Sequence, residues 1–391
     1  MKKMLMIASV PSMIGQFNMN NIQILINLGF EVEVACDWGD RSVWTDEKVN
    51  DLKEKLNALD VIYHQIDYSR SPFSIGCHIK SYKQTLKLLR ENSYEFVHCH
   101  TPIASAVTRL ACKKTNTKCI YTAHGFHFYK GAPIKNWIIF YPIEKWLSKY
   151  TDVLITINME DYNRAKSKFN MKRLEYVHGV GIDTEAFYHS VVDRNKKREE
   201  LGIKKDDILI LSIGELSKRK NHEIVIKALN KLKNINNFYK VHYYVCGNGE
   251  LKGYLEKLIK DFELCDNVKL LGFRTDIIEL CKASDLFVFP SFQEGLPVAL
   301  MESIACELGC VCSDIRGNID LVKYKDNLFN PKDVNGLANV LKKLLIKKNN
   351  IQLEVLKENL EESIKNNYEG LLNFDLSHVK RKMTVLYQKI N

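Results

Sequence analysis

Several things that would point to a simple answer are missing from this chain of 391 residues. None of its 11 cysteines forms a CxxC pair. Their odd number and scatter, from Cys36, Cys77, Cys99, Cys112 and Cys119 onward, argue against a disulfide framework and against a zinc site. A reducing, cytoplasmic setting is the expectation. No stretch approaches the roughly 18–20 consecutive apolar residues that a membrane span needs. Even NWIIFYPIEKWL is broken by Pro142, Glu144 and Lys145, so any membrane contact is expected to be peripheral. Lys2-Lys3 before MLMIASV imitates a signal peptide, but the run is short and passes into polar QFNMNN without a small-residue cleavage site. It reads as a first strand. The loop after it lacks GxGxxG, and no DxD-like carboxylate pair is placed to hold a divalent ion, so no metal is expected.

What is present is an ordinary globular mixture, 46% hydrophobic and 27% charged, with no sign of long disorder. At roughly 100–200 residues per domain the length implies two domains. Lys plus Arg numbers 57 against 47 for Asp plus Glu, a net charge of +10 that favours anionic partners mildly. The densest basic runs, Lys218-Arg219-Lys220 and Lys380-Arg381-Lys382, are short and far apart, so nucleic acid is not expected as a partner.

Short apolar runs alternate with helical segments of period near 3.6, the signature of βαβ units and a parallel sheet. Strands are expected at 4–8, 31–36, 61–66, 96–99, 119–122 and 153–157. A second set is expected at 208–213, 242–246, 268–271, 286–289 and 309–312. Between the sets, HGVGIDTEAF and the highly charged VVDRNKKREE read as a linker. The expected division is a first α/β domain over 1–180, a linker over 181–204, a second α/β domain over 205–370 and a C-terminal helix over 371–391. The last 60 or so residues read as helices with no clear strand.

Ligands of open parallel sheets bind beyond the carboxyl ends of the strands, so a cleft between two such domains is the default site. Gly15, after the first strand, suits either a backbone approach to an anionic ligand at a helix N-terminus or a plain tight turn. The richest constellation is PSFQEGLPVALME. Pro290 and Ser291 end a strand, Glu294-Gly295-Leu296-Pro297 forms a turn, and Pro297 suits a first helical position. Free N–H groups around Leu296–Ala299 would face a diphosphate, and Glu294 and Glu302 would accept hydrogen bonds from sugar hydroxyls. An equally good physical reading is a helix-terminal carboxylate and a solvated glutamate. His124 follows a strand beside Gly125, while His98 and His100 are read as facing opposite sides of their strand and so as no metal pair.

At EGLPVALME the chain resembles the retaining GT-B glycosyltransferases of family 4, the glycosyl transferases group 1, whose E-x7-E element has this form. SIGELSKRKNHEIVIKAL, VCGNGEL, LGFRTDI, TAHGFHF and HGVGIDTEAF match as well, so the likeness runs through nearly the whole chain. The opening SVPSMIGQFNMNNIQILINLGFEVEVAC is similar to bacterial enzymes of capsule and exopolysaccharide assembly.

The resemblance implies a GT-B fold, two Rossmann-like doubly wound domains with the C-terminal helix crossing back to the first. It implies that Glu302 binds the donor ribose and that Glu294 lies beside the transferred sugar. The backbone of Gly295, Leu296, Pro297 and Val298 would hold the diphosphate. Lys220 would neutralise the charge that builds on the leaving group, and His124 would contact the sugar near the reacting centre. Phe273 and Arg274 of LGFRTDI would touch the base. Where many relatives carry Arg in GRL this chain has Glu215, so Lys218 or Arg219 supplies the second cation, or Lys220 acts alone.

The expected donor is a nucleotide sugar, UDP in class, and the acceptor a polyprenyl-diphosphate-linked or plain oligosaccharide. Transfer would retain configuration without a metal or other cofactor. A nucleotide-sugar 2-epimerase of similar fold and a nucleotide-binding protein without catalysis are the alternatives. The segment PIKNWIIFYPIEKWLSK combines Trp137, Phe140, Tyr141 and Trp146 with Lys135, Lys145 and Lys149. It reads either as a helix packed on the first sheet or as one lying on an anionic membrane.

Overall fold

The computed structural model describes residues 2–347 and 350–390. The chain divides into two compact units, Ile182–Asp375 and a first unit that runs to Gly181 and resumes at Leu376.

The first unit holds strands β1 (Lys2–Ile7), β2 (Phe30–Cys36), β3 (Ile62–Gln65), β4 (Tyr94–His100), β5 (Lys118–Ala123), β6 (Val153–Thr156) and β7 (Arg173–Tyr176). They form a parallel sheet in the order β3-β2-β1-β4-β5-β6-β7. Helices cover both faces, so the inner strands are buried on both sides and read as continuous apolar runs: Met4 to Ile7 have no exposed surface. The edge strand RLEY of β7 is only partly buried and carries no such run, which is why the sequence pattern missed it.

The second unit repeats the plan. Strands β8 (Ile208–Ile213), β9 (Val241–Cys246), β10 (Val268–Gly272), β11 (Leu286–Phe289), β12 (Cys310–Ser313) and β13 (Leu328–Phe329) form a parallel sheet ordered β10-β9-β8-β11-β12-β13. Cys310 and Cys312 are buried strand residues. A short antiparallel strand pair, Ile346–Lys347 with Asn350–Ile351, interrupts the expected all-helical C-terminal region.

The stretch read as a linker carries two short helices of the second unit, Thr184–Tyr188 and Arg194–Leu201. One of its charges is withdrawn from solvent: buried Arg198 donates to Asp285 at 2.9 Å and to the carbonyls of Ala283, Lys204 and Asp207. Composition alone cannot separate a charged linker from a charged latch. The C-terminal helix Leu376–Gln388 belongs to the first unit, where Tyr387 is fully buried and Lys118 Nζ donates to the Ile390 carbonyl at 2.6 Å. It begins at 376, after the helix Leu353–Leu371 and a short turn have ended in the second unit.

Candidate active site

In each sheet the strand order reverses direction between two neighbours, β1 and β4 in the first unit and β8 and β11 in the second, and loops leaving such a pair diverge to open a crevice. The strand ends at these points carry most of the residues singled out in the sequence.

In the second unit, the loop after β8 delivers Arg219 and Lys220 and the loop after β11 delivers Glu294. Lys220 Nζ donates to Glu294 Oε1 at 2.8 Å and Arg219 Nη1 donates to the same oxygen at 3.0 Å. The two loops are stitched by Phe292 N–H on the Arg219 carbonyl at 2.8 Å and by the Asn221 amide, which donates to the carbonyls of Pro290 and Pro331. The Lys220 stem passes over Gly214, where a Cβ would come within 3.2 Å of it, and its ammonium lies 4.7 Å from the Phe289 ring centroid. Glu294 and Lys220 are largely buried, with side chains 10% and 13% exposed, while Arg219 is 46% exposed. Two cations on one carboxylate leave one positive charge uncompensated, a setting that attracts an anion. Arg219 is thus a second cation beside Lys220 on Glu294, where Glu215 brings none. Glu215 itself is exposed and makes no side-chain ion pair among the described residues.

Gly295 is wedged from behind. Gly317 has φ +81°, and a Cβ there would stand 2.4 Å from the Gly295 carbonyl, while Arg316 Nε donates to the Glu294 carbonyl at 3.1 Å. Nothing singled out Arg316 or Gly317 in the sequence. The Arg-Gly pair in the loop after β12 was the available signal. Pro297 is the residue before the first turn of the helix Val298–Ala305, one position earlier than expected, with φ −82° and ψ 116°. Leu296 and Val298 flank it, so the N–H groups of the first turn are free of intrahelical partners. Glu302 sits on this helix. Burial raises its pKa, and no hydrogen bond or ion pair engages its carboxylate among the described residues.

Phe273 is 68% exposed after β10. Arg274 is committed elsewhere, to Asp276 and to Glu200 at 3.1 Å, acids that Lys197 also meets. The charged partners raise the Arg274 pKa and lower that of Asp276.

In the first unit the corresponding strand ends gather neutral groups. Thr101, at φ 64°, turns sharply after β4 and its hydroxyl bonds that of Ser9 after β1 at 2.7 Å. His124 follows β5, and its Nε2 shares a hydrogen bond of 3.1 Å with His100 Nδ1. His98 bonds Tyr387 through Nδ1 and Thr122 through Nε2, both at 2.8 Å. Burial pushes the His124 pKa down to about 4 and that of His98 to about 3, and it holds His100 well below the usual range. All three are neutral at pH 7.

The expectation that His98 and His100 face opposite sides is overturned. Their ring centroids are 4.2 Å apart, because positions two apart on a strand share a face. They still do not form a metal pair, since three of their nitrogens are taken by Tyr387, Thr122 and His124. His100 Nε2 is buried without a partner. A small cavity of about 30 Å³ adjoins the cluster, lined by Phe17, Asn18, His100, His124 and Lys380 among others.

Gly15 does not make a turn. It lies inside the helix Pro11–Phe17, where a Cβ would meet the Trp44 ring at 2.2 Å, so its small size accommodates the indole.

The aromatic, basic segment forms the helix Ile134–Ser148. Trp137 and Tyr141 turn inward onto Phe128, at 5.7 and 5.4 Å between centroids, and the Arg164 guanidinium stands 4.7 Å over Trp137. Ile134, Ile138, Ile139, Ile143 and Trp146 face outward with Lys135, Lys145 and Lys149. The inward face is thus the packed helix of the first reading, and the outward face carries the apolar and basic side chains on which the membrane reading rests. No helix of the described residues is long and apolar enough to cross a membrane.

Comparison with known proteins matches residues 193–367 to the family described as glycosyl transferases group 1 and residues 17–158 to glycosyl transferase 4-like proteins. EpsD of Bacillus subtilis (strain 168), which carries a glycosyltransferase name, is 34% identical over 84% of this chain and 83% of its own. A UDP-Gal:α-D-GlcNAc-diphosphoundecaprenol α-1,3-galactosyltransferase of Escherichia coli is 28% identical over 76% of this chain and 77% of its own. Among solved structures, Anabaena HepE in complex with UDP aligns with TM-score 0.73 at 18% identity over the whole of both chains. The lipopolysaccharide glycosyltransferase WaaG aligns with TM-score 0.67 at 17% identity over 98% of this chain and 99% of its own. These likenesses give the fold as GT-B.

Proposed function

Because this chain belongs to the glycosyl transferases group 1 family and is a glycosyltransferase, we propose that it moves a sugar, with retained configuration, from a UDP-sugar to a lipid-linked acceptor in surface-polysaccharide assembly. The observation that carries the donor half is the pairing of Lys220 and Arg219 on Glu294 beside the first turn of the 298–305 helix. A bound diphosphate would draw the two cations off Glu294, freeing its carboxylate for the sugar hydroxyls. The N–H groups from Gly295 to Val298 and the helix dipole would take further phosphate charge. Glu302, without a partner among the described residues, would accept from the ribose hydroxyls. Phe273 offers an exposed ring on which a base could stack, with Arg274 held beside it by its acids.

In the reaction, the bond between the sugar's anomeric carbon and the phosphate oxygen breaks, with its electron pair staying on that oxygen. The acceptor oxygen bonds the same carbon from the same face and passes its proton to the departing phosphate. Lys220 and Arg219 stabilise the charge that builds there. His124, neutral, would hydrogen-bond the sugar without adding positive charge next to a cationic transition state. No metal is needed in this scheme.

The lipid-linked acceptor is supported by the activity named for a relative, the E. coli galactosyltransferase acting on a diphosphoundecaprenol-linked sugar. The outward isoleucines and lysines of the 134–148 helix suit peripheral contact with an anionic inner membrane face. The test is incubation with radiolabelled UDP-sugars and membrane lipid extract. Labelled lipid is expected. A donor isomer would mean epimerisation instead, and UDP binding without turnover a non-catalytic role. For the membrane contact, replacing Ile138 and Ile139 by Ser together with Lys145→Ala should lower binding to anionic liposomes. Unchanged binding rejects that contact.

A further inference from the structure

An apolar pocket of about 270 Å³ lies in the first unit between the helix Pro102–Thr115 and the 134–148 helix. Ile103, Ala106, Val107 and Leu110 line one wall, Phe140 and Ile143 another, and Phe126 and Phe128 the floor. The loop 125–128 that forms this floor starts at the residue after His124. Polar lining is sparse, and the Glu144 carboxylate is committed to Arg109 at 3.0 Å. We infer that this pocket seats the isoprenoid tail of a polyprenyl-diphosphate-linked acceptor, an inference that rests on the lipid-linked reading above.

Three observations argue for that occupant. The pocket stays open although its walls are apolar, and burying apolar surface there is worth about 25 cal/mol per Å² to whatever fills it. Exposed hydrophobic residues adjoin its lining: Ile143 lines it at 46% exposure, and Pro72, also lining, is followed in the chain by Phe73 at 81% and Ile75 at 68%. Solvent-facing rings and isoleucines of this number mark a binding surface. The third is charge. Along residues 134–149 the outward face has Lys135, Lys145 and Lys149, and the sole acid of the stretch, Glu144, is buried and paired. An apolar slot whose wall helix carries these lysines on its outward face matches a molecule with a hydrocarbon tail and an anionic diphosphate. A plain sugar chain fits neither feature.

The test titrates the full chain with farnesyl diphosphate and, separately, with inorganic diphosphate, by calorimetry. Farnesyl diphosphate should bind at least about tenfold more tightly, the gain expected from burying one large side chain's worth of apolar surface. Ala106→Trp, which fills the slot, should erase that margin and leave inorganic diphosphate and UDP affinities unchanged. In the unaltered chain, farnesyl diphosphate should slow amide exchange in segments 102–110 and 125–128, a reading that does not depend on the variant folding. Equal affinities for the two diphosphates overturn the inference, as does a margin that survives Ala106→Trp or exchange that stays unchanged. If farnesyl diphosphate fails while the lipid-extract assay yields labelled lipid, the lipid-linked acceptor stands and only the pocket assignment falls.

Discussion

The strand ends at β8 and β11 and those at β1, β4 and β5 are built on the same parallel plan, yet their electrostatics are opposed. In the second unit two cations share one carboxylate with a positive charge to spare. In the first unit three histidines are stacked and bonded in a place too dry to charge them. One topology thus offers a corner with positive charge to spare and a neutral hydrogen-bonding corner, and the difference comes from what the loops bring and how deeply it is buried. In the proposed reaction the diphosphate would use the first, and a sugar about to acquire positive character at its anomeric carbon the second.

The largest effect should come from Lys220→Ala, with turnover falling by about 10²–10³, as when a single charge-stabilising donor is removed from a transition state. UDP affinity should fall less, and steady-state kinetics beside UDP titration separates the two. Wild-type turnover would end the contrast between the corners. Next, Glu302→Ala should weaken UDP binding by about tenfold to a hundredfold, the range of hydrogen bonds to a charged group. An unchanged dissociation constant would remove the ribose assignment.

The neutral corner is read by pH. His98 and His124 have folded-state pKa values near 3 and 4 against about 6.5 when unfolded. Below pH 6.5 the unfolded chain therefore binds the protons first, so the stability these groups lend is complete above pH 6.5. It is lost as pH falls toward 4, each group adding a slope of at most about 1.4 kcal/mol per pH unit. Melting temperature should drop across that window, and His98→Gln should flatten the slope whatever it does to the absolute value. A slope unchanged by His98→Gln would show a charged cluster. The smallest effect is expected from Arg219→Ala. Its pair is half-exposed and such pairs contribute about 0.2–1 kcal/mol, so UDP affinity should change by less than about fivefold. A larger loss would mean that Arg219, not Lys220, is the principal cation.

Much of this was legible in the residues. The alternation of apolar runs located the inner strands to within a residue or two, because strands buried on both faces must be apolar throughout. The edge strand RLEY escaped because it is only partly buried and carries no apolar run. EGLPVALME announced a turn, a helix start and two carboxylates, all local features. Gly15 misled because a glycine needed for φ > 0 and one needed to clear an indole look alike until Trp44 is in place. VVDRNKKREE misled because a run of charges does not say whether its partners are water or Asp285. Arg316 and Gly317 act on Glu294 and Gly295 from the end of another strand, and no spacing rule reaches that far.

By itself, then, the sequence determined the two α/β units, the family and the residue types at each loop, since these depend on short-range periodicity and turn chemistry. Tertiary structure alone decided the strand order, and with it which loops meet. It set Lys220 on Glu294, 74 positions away, and stacked His98, His100 and His124 beneath Tyr387 of the last helix. Whether a titratable group is charged is a matter of its neighbours and its distance from water. Neither exists until the chain has folded.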